Sequence, residues 1–297
     1  MFIRDFGLDT ITLAGPLAAK LRAMREGGFS QVMLAARDLV GHPDGWRAAV
    51  AEVRASGLRV TGFQVLRDFE GLSGYADTRL HGYKVDIAKG MIEMAAALGS
   101  PVLLACSSTS QHASGDVGVI ARDLRQLAML ALPHGLRVAY EALSWGRHIN
   151  ELPQAWAAVQ QADCPNLGVG IDSYHIFATQ TPLAALDAIP VDRIFLVQLS
   201  DFMWQAVRTP EERLATARTF RVFPGEGVHS DELARLVLAL HHRGWRGDYS
   251  FEVFNDDYQQ LPLELVVERG RRSALWLADE VLRRSVPLPS ELLRGQA

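Results

Sequence analysis

The chain has 297 residues, 48% hydrophobic and 22% charged, with a net charge of −4 and a pI near 6.1. This is the composition of a compact globule, and its mild acidity offers no general attraction to phosphate backbones, so no nucleic-acid partner is expected. Two cysteines, Cys106 and Cys164, exclude a disulfide framework and a cysteine-rich zinc site, and the lack of a leader-like N-terminus or an apolar run of ~20 residues predicts a cytoplasmic protein with no membrane partner.

In chain order, Leu8–Leu13 is a first strand candidate, and Pro16 opens a helix that stops at Gly27-Gly28. Gln31–Ala35 is a second strand, followed by a helix over Gly45–Ser56, closed by Gly57. Leu58–Leu66 is the third strand, and Arg67-Asp68-Phe69-Glu70 reads as a charged loop at its end. Arg79–Leu98 has Ile87, Met91, Met94 and Leu98 on one helical face. Pro101–Cys106 is the fourth strand, and a helix over Asp116–Leu132 follows the polar loop Ser107–Ser110.

Leu136–Glu141 is the fifth strand, leading into the loop Ser144-Trp145-Gly146-Arg147-His148 and a helix over Leu152–Ala162. Gly168–Asp172 is the sixth strand, Pro182–Ala188 a short helix, and Ile194–Gln198 the seventh strand. A long stretch up to Gly227 reads as irregular, and the role of its 202–219 segment is open. A helix over Asp231–Arg243, an eighth strand over Asp248–Glu252 and a helix over Leu263–Arg284 complete the pattern, with Ser285–Ala297 as a tail or lid. Alternation of strand and helix argues for a parallel sheet, and eight units in one undivided stretch, residues 1–284, predict a single closed (β/α)8 TIM barrel. A doubly wound open sheet needs a glycine-rich loop after the first strand, where Thr10–Gly15 supplies one glycine.

Four consecutive apolar strands end in an oxygen-bearing side chain: Glu141, Asp172, Gln198 and Glu252. Strand ends at the carboxyl face are where barrel chemistry is placed. Three carboxylates gathered there repel unless a cation sits among them. The set suits one hard divalent cation, Mn²⁺ or Mg²⁺, with Co²⁺ a substitute and Zn²⁺ a poorer fit because its sites recruit His or Cys. His175 follows Asp172 by three residues, beside the metal rather than on it, as a general acid/base. Arg221 and Arg67 stand in loops where a guanidinium can grip a substrate carboxylate in bidentate fashion, and either also reads as a solvated charge. Arg147 and His148 line the pocket or face water; Trp145 and Phe223 are candidate apolar walls. His241-His242 reads as a solvent-side pair, and Asp256-Asp257 as a helix-start or surface feature.

The runs Tyr140–His148, Asp172-Ser173-Tyr174-His175, Phe220-Arg221-Val222-Phe223-Pro224-Gly225-Glu226-Gly227 and Glu252-Val253-Phe254-Asn255-Asp256, with Gln64, Arg67–Gly71 and Cys106-Ser107, resemble the bacterial 3-dehydroshikimate dehydratases. These belong to the wider xylose-isomerase-like barrels, beside sugar phosphate isomerases/epimerases. The resemblance covers roughly Thr10 to Leu275. It implies that Glu141, Asp172, Gln198 and Glu252 hold the metal, that His175 takes part in proton transfer, and that Arg67 and Arg221 bind substrate. Some members carry a further C-terminal dioxygenase-like domain, and this chain ends before one begins. Met33-Leu34-Ala35-Ala36 departs from the family where an acidic residue is expected, which alters the pocket wall.

The expected reaction is dehydration of 3-dehydroshikimate to protocatechuate through a metal-stabilised enolate, with His175, Glu252 or Glu141 moving protons. A sugar isomerase or ketose epimerase shares the opening step and would use Glu141 and Glu252 on opposite faces. A non-catalytic ligand-binding barrel is the third reading. In each case the partner is a small polyhydroxy carboxylate or sugar; a homo-oligomer is compatible with the sequence.

Overall fold

The computed structural model describes residues 4–75 and 78–283; the tail read at 285–297 lies outside them. Its strands are β1 (Phe6–Asp9), β2 (Gln31–Ala35), β3 (Arg59–Arg67), β4 (Val102–Cys106), β5 (Arg137–Glu141), β6 (Leu167–Asp172), β7 (Ile194–Leu199), β8 (Asp201–Phe202), β9 (Arg221–Val222) and β10 (Tyr249–Phe251). The hydrogen-bonded order β1-β10-β7-β6-β5-β4-β3-β2 closes on itself, with every pair parallel, while β8 and β9 form a separate antiparallel ribbon. The eight-stranded barrel expected from the strand–helix alternation is the one observed.

The helices are α1 (Leu17–Glu26), α2 (Ala36–Val40), α3 (Trp46–Ser56), α4 (Thr78–Leu98), α5 (Val117–Ala131), α6 (Leu152–Ala162), α7 (Ser173–Ala178), α8 (Pro210–Thr219), α9 (Ser230–His242) and α10 (Leu263–Trp276). Local chemistry fixes their ends. Asp116 caps α5 by accepting from the Gly118 and Val119 amides at 2.7 and 3.2 Å, a bond worth about 1 kcal/mol. Gly57 ends α3 at φ 71°, a left-handed conformation that a side chain would resist. No described helix is long and apolar enough to cross a membrane.

Alternation along the strands divides the interior in two. Leu103 and Ala105 of β4 join the large cluster between strands and helices, whereas Val102, Leu104 and Cys106 join a smaller one with Met33, Ala139 and Leu196. With period two, the second set faces into the barrel and fills it below the site. Register then sets the site's geometry: Cys106 lies opposite Glu141, Asp172 opposite Gln198, and Gln198 opposite Ser250, two residues before Glu252.

Several expectations are corrected. The first strand is Phe6–Asp9, and Thr10–Thr12 is a 3-10 turn capped by Asp9, which accepts from the Ile11 amide at 2.9 Å. The stretch after the seventh strand is not irregular. It folds as β8, α8 and β9, and α8 opens on a capping box in which Thr209 and Glu212 satisfy each other's amides, with Pro210 at the first helical position. The short helix α7 follows Asp172 at once, and the segment read as helical at Pro182–Ala188 is a 3-10 helix over Leu183–Ala188. The final helix continues past α10 as a π turn, Leu277–Val281.

Candidate active site

The four strand-end oxygens converge where β5, β6, β7 and β10 end, and all four side chains are buried. Glu141 accepts the Cys106 thiol on Oε2 at 3.0 Å, and its Oε1 has no partner. Asp172 caps α7 with Oδ1, accepting from the Tyr174 amide at 2.8 Å, and turns Oδ2 to the site. Gln198 donates to Gln64 Oε1 at 3.3 Å, and its own Oε1 is without a partner. Glu252 meets Arg221 Nη1 at 3.0 Å through Oε2.

The electrostatics follow from burial. Loss of water, then the charges of Asp172 and Glu252, hold the Glu141 carboxyl well above the usual carboxylate range. Burial likewise pushes Glu252 up to about 7, against the pull of Arg221. Arg221 is opposed by burial, but Asp172 and Glu252 outweigh it and keep the guanidinium charged. His175 is kept well below its ordinary value by burial and then by Arg221 and Arg218, so the ring is neutral.

His175 Nε2 stands 3.5 Å from Asp172 Oδ2 and 4.0 Å from Glu141 Oε2. Its Nδ1 accepts from the Ser144 amide at 3.2 Å and lies 3.1 Å from Ser144 Oγ. A nitrogen that accepts a backbone N–H carries no proton of its own, so the proton of the neutral ring sits on Nε2. The ring edge is held against Trp145, centroids 5.2 Å apart. His175 therefore presents a donor to the carboxylates.

The residues present fit a divalent cation. Glu141 Oε1 and Gln198 Oε1 are buried acceptors with nothing to accept, a costly state that a cation relieves. Arg221 is bonded to Asp172 and Glu252 but not to Glu141, and the negative charge that burial and mutual repulsion disfavour on Glu141 and Glu252 is what a bound cation would stabilise. Ligand atoms of Glu141, Asp172 and His175 also lie within 4.8 Å of one another. Oxygen donors dominate if the cation takes Glu141, Asp172, Gln198 and Glu252, and the hydrogen bond at Nδ1 argues against His175 as a ligand.

Above this floor lies a cavity of about 200 Å³ lined by Glu141, His175, Glu252, Trp145 and Phe254, and by Arg37, Arg67, Arg218 and Arg221. Arg221 behaves differently from the expectation. Its Nη1 serves Asp172 at 2.7 Å, Glu252 at 3.0 Å and Ser200 at 3.1 Å, and its Nε donates to the Ala217 carbonyl at 2.9 Å. Any two-pronged grip on a carboxylate uses one of these two nitrogens, and both are committed. Arg147 and His148 are not among the cavity's lining residues: both are exposed, and His148 Nε2 contacts the Ala113 carbonyl at 3.0 Å. Phe223 packs on Tyr258 and Phe251 and is not a cavity wall either. His241-His242 occupies the last turn of α9, outside the lining.

Sequence reasoning passed over Asp9, Arg37 and Arg218. Asp9 is buried and receives a hydrogen bond from Gln64; burial, then the Glu252 charge, raises its carboxyl well above the ordinary range. Its signal was a carboxylate in an apolar strand, the same one that revealed Glu141. Glu70, read as part of a charged loop, is buried, accepts from the Tyr140 hydroxyl at 3.0 Å and from the Ser108 amide, and is pushed up to about 7 by burial.

A family model described as a xylose isomerase-like TIM barrel matches residues 21–279. The chain belongs to the xylose isomerase-like TIM barrel family. Within it, a 3-dehydroshikimate dehydratase of Pseudomonas aeruginosa is 37% identical over 94% of this chain and 43% of its own length. A second, of Pseudomonas putida, is 36% identical over 93% of this chain and 42% of its own length. The chain thus spans less than half the length of these curated relatives. Among solved structures, a xylose isomerase-like TIM barrel/4-hydroxyphenylpyruvate dioxygenase fusion protein superposes with a TM-score of 0.85 at 34% identity, over 95% of this chain and 44% of the other. The IOLI protein, whose crystal structure carries a bound zinc atom, shares the fold at a TM-score of 0.77 and 20% identity, over 96% of this chain and 100% of the other.

Proposed function

We propose that this chain is a divalent-metal-dependent dehydratase that converts 3-dehydroshikimate to protocatechuate. The observation that carries the reading is a floor of three carboxylates and two orphaned oxygens beneath a cavity lined by arginines. The relatives named 3-dehydroshikimate dehydratase support it. Glu141, Asp172, Gln198 and Glu252 would hold the cation, with Mn²⁺ or Mg²⁺ the choices that suit four oxygen donors. When bound, it supplies Lewis-acid polarisation of a substrate ketone.

The chain's own residues supply the rest. Glu252, which lines the cavity above the strand ends, would remove a proton from the carbon beside the ketone. His175 directs its Nε2 proton into the site, where it hydrogen-bonds developing negative charge on oxygen, and Ser144 keeps that tautomer in place. Loss of the β-hydroxyl as water and enolisation of the ketone then give the aromatic diol. Arg221 holds Asp172 and Glu252 at their positions. Arginines around the cavity favour a carboxylate substrate over the neutral sugar of an epimerase.

The test is ultraviolet absorbance of the aromatic product with 3-dehydroshikimate, on metal-stripped protein with and without added Mn²⁺. The reading requires a metal-dependent rise that Glu252→Gln abolishes. Proton exchange at a neutral ketose, with no aromatic product from 3-dehydroshikimate, would move the assignment to an isomerase or epimerase.

A further inference from the structure

Two of the cavity's arginines carry guanidiniums left without a carboxylate partner among the described residues. Arg67 ends β3 and Arg218 lies in the last turn of α8, and both line the cavity that holds Glu252 and His175. Arg67's backbone carbonyl accepts from Lys84 at 3.0 Å. Neither guanidinium makes a hydrogen bond or ion pair among the described residues. The Arg218 guanidinium lies 6.0 Å from the centroid of the Trp145 ring and 5.8 Å from that of Phe254. Contacts at this range are weak cation–π attractions that favour the guanidinium's place beside the two rings.

Like charges brought together cost free energy unless something of opposite sign joins them. Burial, then the neighbouring charge of Arg67, lowers the affinity of Arg218 for its own proton. Glu252 attracts Arg218 at longer range without forming an ion pair with it, while the direct contacts of Glu252 and Asp172 go to Arg221. The two arginines of α8 and β9 therefore have different tasks. Arg221 is consumed within the protein, whereas Arg218, three residues earlier, keeps its hydrogen-bonding edge available.

We propose that Arg218, together with Arg67, is the clamp that fixes the substrate's carboxylate, and that Arg221 positions the strand-end carboxylates instead of gripping substrate. The assignment deepens the dehydratase reading and rests on it for the identity of the substrate. The preference for a carboxylate follows from the two cavity arginines that have no carboxylate partner among the described residues. Two arginines lining one cavity suit a planar carboxylate, with one guanidinium fork engaging both oxygens.

The experiment uses the full chain as wild type, Arg218→Ala, Arg218→Lys and Arg67→Ala, with folding checked by circular dichroism. Calorimetric affinities for 3,4-dihydroxybenzoate are compared with those for catechol, its neutral counterpart, with and without Mn²⁺, beside steady-state kinetics on 3-dehydroshikimate. The wild type is expected to prefer the carboxylate, and Arg218→Ala to lose that preference by roughly 10- to 100-fold, the worth of a charge-assisted hydrogen bond. KM should rise by a similar factor while kcat changes by less than about threefold, with part of the loss recovered in Arg218→Lys. An unchanged carboxylate preference in Arg218→Ala, or a wild type with none, overturns the clamp. The two readings fail separately. A wild type that keeps the preference but forms no aromatic product retains the clamp and removes the dehydratase; product formation indifferent to Arg218→Ala does the reverse.

Discussion

The floor and the rim of the cavity use the same residue types in opposite ways. On the floor, Glu141, Asp172, Glu252 and Arg221 are buried and Arg221 is bonded to two of the three carboxylates, so each charge is defined by its neighbours and by lost water. At the rim, Arg37 and Arg218 are exposed, Arg67 is partly so, and none has a carboxylate partner among the described residues. A charge on the floor is a structural commitment, costly to remove. A charge at the rim is an offer to solution, cheap to remove and sensitive to salt.

The largest effect expected is on the floor. Glu252→Gln keeps the shape but removes the base and a ligand oxygen's charge, and should lower kcat by roughly 10³-fold or more; product absorbance measures it, and retained turnover would move the base elsewhere. Next is Arg221→Met, which leaves Asp172 and Glu252 buried without a cation. Urea unfolding of metal-free protein should show a loss of about 3–5 kcal/mol, as for one partner stripped from a buried ion pair. A loss below ~1 kcal/mol would place Arg221 with the rim.

Glu70 tests chiefly burial, at a carboxyl that is not among the proposed ligands. Its carboxyl is raised from 4.5 to about 7 in the fold, so between these values the native state binds more protons than the unfolded chain. Its stabilising contribution is complete below about pH 4.5 and is lost as pH rises through about 7. By linkage this amounts to about 3 kcal/mol. Glu70→Gln should flatten the fall in stability over that window, as read from urea midpoints at a series of pH values; an unchanged slope would assign the fall to other groups.

The rim should answer to ionic strength. Raising salt from ~10 mM to ~0.5 M shortens the screening length several-fold, so KM for a carboxylate substrate should rise severalfold while kcat holds. The smallest effect belongs to the outer loop: Arg147→Ala, exposed and off the cavity lining, should change kcat/KM by less than about twofold.

The barrel and its floor were legible because a strand that ends in a carboxylate breaks its own apolar pattern. Glu141, Asp172, Gln198 and Glu252 each sit at such a break, and register carries them to one place. Asp9 gave the same signal and was missed because the strand was drawn two residues late, leaving Asp9 in its interior and not at its end. The α8 segment resisted for a different reason. Leu-Ala-Thr-Ala aside, Pro210–Thr219 has no sustained apolar face, so periodicity was silent although the Thr209/Glu212 capping box was present. Which arginine braces the floor and which one faces the cavity depends on how that helix docks, and three residues of sequence separation do not encode it.

The docking of α8 has a consequence for how such a protein diversifies. Arg213 donates to the Ser144 carbonyl at 3.1 Å and its own carbonyl accepts from the Tyr174 hydroxyl, while none of α8 belongs to the ring of barrel strands. The segment from Met203 to Thr219 thus lies outside the barrel and is tied back to it by Arg213, by the Ala217 carbonyl that accepts from Arg221 Nε, by the Trp204 carbonyl beside His229 Nε2 and by the Thr219 carbonyl that accepts from the Asp256 amide. Changes within it that keep Arg213 and the Ala217 carbonyl in place would alter which molecules are admitted past Arg218 while Arg221 and Ser144 keep their supports, so substrate range and proton-moving apparatus can vary separately only within that limit.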